Sequence, residues 1–349
     1  MRKNFQAPPL SRTGVLLAVA LIATGCATNP VTGKREIRIV SEAQELQIGS
    51  ENYSPMQQSQ GGEYDLDPAL DDYVRQVGQR LAATSDRQLP YEFTVLNNSV
   101  PNAWALPGGK IAINRGLLTE LKSEAELAAV LGHEVVHAAA GHSAQQMTRG
   151  MLLQGGILAT AIAANDSDYA NIWMSGASIG AQLINQRYGR KAELESDFYG
   201  MQYMSRSGYD PQGAVELQQT FVRLSEGQRS DWLSGLFASH PPSAERVAAN
   251  RRTAAALPAG GERGADQFRA AMNKTLRAKP AYDAYDEGRK ALAAGDTAVA
   301  RKKANEAISA VPGEGHFHAL LGDIEFKNKN YDSATRHYTR AISHNDDFF

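Results

Sequence analysis

The stretch His133-Glu134-Val135-Val136-His137 decides how the rest of the chain is read. The residues around it, Leu121 to Ala140, are rich in Ala, Leu and Glu, with no proline and a single glycine, which favours a helix. On a helix, His133 and His137 lie one turn apart on one face and can share one Zn²⁺. Glu134 then stands beside them as a base for water that the metal acidifies. The competing reading is a helix with two partly buried histidines. A second acidic cluster downstream argues against it.

Zinc in a hydrolase takes three protein ligands and leaves one position open. The third is expected from a helix folded back over the first, and Ala192-Glu193-Leu194-Glu195-Ser196-Asp197 can supply it. Glu193 and Asp197 are four apart and share a face, whereas Glu195 points elsewhere. Glu193 is therefore the expected third ligand. Asp197 is expected behind the metal, taking the free N–H of a ligand histidine and fixing its tautomer. A merely solvated acidic helix face is the alternative. Two neutral imidazoles and one carboxylate leave zinc net positive; Glu134 takes the proton of the attacking water and passes it to the leaving nitrogen of a peptide bond. His142, five residues past His137, falls off the ligand face and reads as structural or shielding.

The first residues bear on compartment. Arg2, Lys3 and Arg12 precede an apolar run, Val15 to Ala23, too short to span a bilayer and ordered as a secretory signal. It ends at Ala23-Thr24-Gly25-Cys26, which resembles a bacterial lipobox cut before Cys26. Acyl chains on Cys26 would anchor the mature chain of about 320 residues. The alternative is a plain signal peptide with a chance cysteine. Cys26 is the only cysteine, so no disulfide forms within the chain, and a core, or a core plus metal, must hold it. The formal net charge of -2 argues against nucleic acid as a partner.

The chain divides into a signal peptide (1–25), a lipidated tether with a short helix (26–60), a peptidase domain (61–256), a linker (257–264) and a helical tail (265–349). Leu70, Tyr73, Val74, Val77 and Leu81 carry helical periodicity, and Tyr91 to Leu96 alternates as a strand. Trp104-Ala105-Leu106 and Lys110 to Ile113 flank Pro107-Gly108-Gly109 as a hairpin, so a small sheet precedes the metal helix, and its exposed edge can pair with an extended substrate. Met151 to Ala164 and Ile172 to Ile184 are apolar but about 14 residues each, which favours close helix packing over a membrane hairpin. Ser243 caps a helix with Arg246 in its first turn. In the tail, Gly288, Ala300 and Ala307 recur 34 residues later as Gly322, Ala334 and Ala341. That period suggests two tetratricopeptide-type (TPR) helix pairs over 281–349, preceded by an extra helix from Asp266 to Ala278. Two repeats are few, so they are expected to lean on the peptidase domain or on a partner. The fold class is α+β, mainly α: a zincin-like domain with a small sheet, then TPR-like repeats.

Taken together, these motifs resemble the HtpX and CAAX-prenyl-protease-like family of zinc metallopeptidases, in its periplasmic lipoprotein branch. The residues that carry the resemblance are His133 to His137, Glu193 to Asp197, Asn102-Ala103-Trp104-Ala105-Leu106-Pro107-Gly108-Gly109, Asn29 to Glu36, and Ser239-His240-Pro241 with Arg246. It covers roughly residues 29–256. The tail is similar to the TPR-bearing members that serve outer-membrane assembly, but those have longer arrays and internal cysteines. The resemblance implies that His240 is either a latch over the open zinc position or an oxyanion stabiliser, and that Arg246 either orders that loop or binds a substrate carboxylate. It implies an endopeptidase attached to the outer membrane of a Gram-negative bacterium through Cys26, acting on misfolded or stalled envelope proteins. The tail would then recruit substrate or the assembly machinery. The runner-up is a metal-containing chaperone or adaptor with little proteolysis.

Overall fold

The computed structural model describes residues 26–163, 188–226 and 239–345. The expected signal peptide, the second apolar stretch and most of the loop before His240 lie outside the described residues. Among the described residues the fold is mainly helical with two small sheets. No helix among the described residues is long and apolar enough to cross a membrane.

A short hairpin comes first, β1 (Cys26–Thr28) against β2 (Arg35–Ile37), with Cys26 opposite Ile37. Helix α1 (Glu42–Ser59) follows, started by a capping box of Ser41 and Gln44. Then come α2 (Pro68–Ala82) and a three-stranded sheet of β3 (Glu92–Leu96), β4 (Ala103–Leu106) and β5 (Lys110–Asn114). The sheet order is β3-β5-β4: β4 and β5 form the antiparallel hairpin, β3 joins β5 in parallel, and β4 is an edge. The turn from Pro107 requires Gly108 and Gly109 at φ of 80° and 90°.

After the single turn α3 (Arg115–Leu118) comes α4 (Glu124–Ala139), the helix of the two histidines. Ser123 Oγ caps it by accepting from Glu126 N at 3.2 Å. Every residue from Ala125 to Ala139 is buried, as a helix apolar on all sides must be. Around it stand α2, the sheet, α6 (Arg190–Arg206) and α7 (Gln212–Glu226); α5 (His142–Ala163) and α8 (Ala244–Ala256) complete the unit. The periodic Leu70, Val74, Val77 and Leu81 are the buried face of α2.

Residues 26–60 are built into this unit rather than tethering it. Asn29, Val31 and Val40 are buried, and Glu45 of α1 is fully buried against Arg87 (2.9 Å). Asn29 closes its own turn by accepting from Val31 N and Thr32 N, and its Nδ2 donates to Ala140 O at the end of α4 (3.1 Å). The segment read as a tether thus bonds a carbonyl that α4 leaves unpaired at its end. The helix of this segment, expected to be short, runs for 18 residues.

The glycine-rich linker is pinned as well. Glu262 pairs with Tyr209 as a β-bridge, and Arg263 O accepts from Ala125 N at the start of α4. The tail consists of α9 (Ala265–Ala271), α10 (Asn273–Ala293), α11 (Thr297–Ala310), α12 (Gly315–Lys327) and α13 (Tyr331–Ile342). The helix expected over 266–278 breaks at Met272, and its second half runs on into α10. Gly288 lies against Leu320 and Ala300, and Gly322 against Tyr338, so the recurring small residues sit at helix crossings. The tail leans on the preceding unit: Arg115 stacks 3.5 Å from the Tyr282 ring centre, and Asn97 Nδ2 donates to Glu314 at 3.1 Å.

Candidate metal centre

Helices α4 and α6 cross where Gly132 meets Gly200. A Cβ on Gly200 would lie 3.1 Å from Gly132 C and from His133 N. The two backbones approach this closely only because neither residue has a side chain. Two turns from Gly200 along α6, the crossing sets Glu193 against His133 and His137 of α4: Glu193 Oε2 lies 3.5 Å from His133 Nε2, and Oε1 lies 3.4 Å from His137 Nε2. The loop before α8 adds His240, whose Nδ1 is 3.2 Å from His133 Nε2 and 3.1 Å from Glu193 Oε1. One donor atom from each of these four buried residues lies within 4.8 Å of the other three. Glu134 is alongside, 2 % exposed, with Oε1 3.5 Å from His240 Nε2 and Oε2 without a hydrogen-bond partner.

Each histidine of α4 is held from behind. Asp197 Oδ1 lies 2.9 Å from His133 Nδ1. Arg246 clamps the same carboxylate with two bonds of 2.7 Å, while its Nη1 reaches Glu193 (2.9 Å) and Pro241 O (3.2 Å). Arg246 is buried, and all three of its guanidinium nitrogens are engaged. This geometry fits a residue that orders the His240 loop and not one that receives a substrate carboxylate. His142, off the ligand face as expected, places its Nδ1 3.0 Å from His137 Nδ1. Tyr188 lies over His137, ring centres 3.9 Å apart, with its hydroxyl 2.8 Å from Ser143 Oγ.

The donor set fits zinc. An N–H of His133 shared with Asp197, and one of His137 shared with His142, leave both Nε2 atoms as lone pairs facing each other at 3.0 Å. Such a pair repels unless a cation or a proton stands between. Imidazole nitrogen with one carboxylate is a borderline donor set suited to zinc. Burial pulls His133 down, but its bonds to Asp197 and Glu193 outweigh that and hold it at about 9. Burial drives His137 well below the usual histidine range. Burial opposes ionisation of Glu193, yet His240, His133 and His137 hold it well below the carboxylate range. Asp197 is likewise lowered, against its burial, by Arg246.

An HExxH helix crossed by a second helix that presents a carboxylate defines a metallopeptidase-type centre. The family model of peptidase family M48 matches residues 68–254, and the chain belongs to this family, whose metal is zinc. It is 32% identical over 203 residues to a putative beta-barrel assembly-enhancing protease of Vibrio cholerae, an alignment over 55% of this chain and 40% of that protein. It is 30% identical over 261 residues to the mitochondrial metalloendopeptidase OMA1 of Schizosaccharomyces pombe, over 70% and 73%. It is 25% identical over 367 residues to the beta-barrel assembly-enhancing protease of Escherichia coli O157:H7, over 96% and 74%. Of the Vibrio relative and of the Arabidopsis thaliana OMA1, the chain spans only 40% and 36%.

Three parts of the centre are absent from the reading of the sequence. The Gly132–Gly200 crossing leaves two traces, a lone glycine in each of the two helices. Tyr188 left none. The closeness of His142 and Glu195, with Nε2 and Oε2 3.7 Å apart, leaves no mark in the sequence, because both residues lie off the ligand face.

Proposed function

We propose that this chain is a zinc-dependent endopeptidase of the bacterial cell envelope, with His133, His137 and Glu193 as ligands and Glu134 as general base. The observation that carries this is the convergence of four buried donor atoms beside a carboxylate oxygen with no partner. Zinc held there supplies Lewis acidity toward a water and a peptide carbonyl. Glu134 Oε2 receives the proton of the attacking water and delivers it to the leaving nitrogen. Asp197 and Arg246 keep His133 oriented while this happens. Pairing of an extended substrate with β4 is supported by the position of that strand at the end of the three-stranded sheet and by Ala103, which lines the same pocket as His133 and Glu134. The pocket is lined on one side by Val130, Met201, Met204, Leu217 and Phe221, which supports a preference for an apolar substrate side chain there.

His240 Nδ1 sits among the donor atoms of His133, His137 and Glu193 as a fourth candidate ligand, which supports the latch reading over the oxyanion one. Envelope substrates and attachment through Cys26 rest on the signal-like start and on similarity to the beta-barrel assembly-enhancing proteases. The 34-residue recurrence supports TPR-type pairs that recruit substrate or assembly machinery. The test is cleavage of casein and of a misfolded outer-membrane protein by the purified chain, with and without chelator. Cleavage must disappear with chelator and in Glu134→Gln, which should keep its zinc. Cleavage at full rate by E134Q would show that Glu134 is not the base.

A further inference from the structure

Asp197 explains the orientation of His133, but it does not touch His137. A ligand imidazole almost always donates its second N–H to a fixed acceptor, which chooses the tautomer and aims the ring. For His137 that acceptor is not a carboxylate. Its Nδ1 faces His142 Nδ1 at 3.0 Å. His142 is buried, with Ser196 Oγ 3.4 Å from the same nitrogen. On its far side, Nε2 faces Glu195 Oε2 at 3.7 Å and has no hydrogen bond. Glu195 is in turn flanked by Lys34 (3.4 Å) and Lys191 (3.8 Å).

Two facing Nδ1 atoms can share only one proton. If His142 carried it, His137 would accept at Nδ1 and have its own proton on Nε2, where it could not bind metal. If His137 carries it, His137 Nε2 is free and His142 must hold its own proton on Nε2. A carboxylate beside His142 Nε2 favours that second arrangement.

We propose that His142 and Glu195 form a relay that positions His137: Glu195 selects the Nε2–H tautomer of His142, and His142 thereby holds His137 with Nε2 toward the metal. The relay is the counterpart, for the second histidine, of the Asp197–Arg246 pair behind the first. It rests on the ligand set proposed above. Neither residue touches substrate or metal; both act through His137.

The test is zinc affinity by chelator competition, with the thermal midpoint of the metal-free protein as a separate measure of folding. His142→Leu, which has no acceptor, is expected to lose about 10–100-fold in zinc affinity. His142→Asn, whose amide oxygen can stand where Nδ1 stands, is expected to remain within a few-fold of the parent. Glu195→Gln is expected to fall between them. In zinc-loaded protein with ¹⁵N-labelled histidine, His142 should be protonated at Nε2 and His137 at Nδ1. A folded H142L within threefold of the parent, or a His142 ring protonated at Nδ1, overturns the relay while leaving the ligand set intact. If H142L does not fold, the E195Q affinity and the ring tautomers decide. A parent protein that retains no zinc overturns the ligand set and the relay with it.

Discussion

Replacing Gly200 with alanine sets two rules of protein stability against each other. In an exposed helix interior, Gly→Ala adds about 1 kcal/mol. At Gly200 the new Cβ would lie 3.1 Å from the backbone of Gly132 and of His133. Comfortable carbon contacts begin near 3.5 Å, so α4 and α6 must part by roughly 0.5 Å. Overpacking of this kind costs about 1–3 kcal/mol, which cancels or exceeds the helix gain. The larger consequence is for the metal. His133 and His137 are on one helix and Glu193 on the other, and metal–ligand distances tolerate only about 0.2 Å. G200A is therefore expected to lose at least about tenfold in zinc affinity, while its metal-free form is no more stable than the parent. Gly150→Ala is the control, since a Cβ there meets nothing within 4 Å and should be neutral or stabilising. Urea unfolding of the metal-free proteins and chelator competition supply the two numbers. A G200A protein that is about 1 kcal/mol more stable than the parent and binds zinc equally well would refute the close-crossing argument.

Other perturbations have defined outcomes. His240→Ala should keep zinc, because three ligands remain, and should raise the rate of casein cleavage; a lower rate with zinc retained would assign His240 to the oxyanion instead. Arg246→Gln strips the buried Asp197 of its bidentate partner and should destabilise by about 3–5 kcal/mol in urea unfolding, and Arg246→Lys should not restore it because a lysine cannot form the fork. For Glu314, burial works against ionisation, but bonds from His316 and Tyr282 hold it at about 2, below its ordinary 4.5. Its contribution, roughly 3 kcal/mol, is present above about pH 4.5 and is lost as pH falls through 2. The thermal midpoint of the parent should therefore fall more steeply between those pH values than that of Glu314→Gln; parallel curves would remove Glu314 as a stabilising contact between tail and peptidase unit.

What the sequence disclosed and what it withheld divide along contact distance. The histidine pair, the periodicity of α2 and the strand-turn-strand of β4 and β5 are local patterns, repeating every few residues, and they appear in the structure where the pattern places them. The placing of Glu193 opposite the histidines depended on two helices meeting, and motif chemistry supplied what periodicity did not. The role of Asn29 is different in kind. Its turn is legible, but its bond to Ala140 spans 111 positions, so a segment that reads as a loose tether turns out to cap the helix that carries the site. His240 meets His133 across 107 positions, and nothing local distinguishes it from an exposed histidine before two prolines.

Arg246 shows that a long-range contact can still leave a local trace. Ser243 is a sound cap, with its Oγ accepting from Arg246 N at 3.2 Å, and this puts the arginine in the first turn of α8. The helix dipole disfavours a cation there, where aspartate or glutamate is preferred. A residue that breaks a local rule is either neutralised by solvent or balanced by something distant. Arg246 is buried, so solvent is not the answer. The balance comes from Asp197 and Glu193, two carboxylates that the metal helix draws inward and that would be prohibitively costly to bury without a cation. The misfit at the start of α8 and the acidic pair on α6 are two halves of one electrostatic requirement.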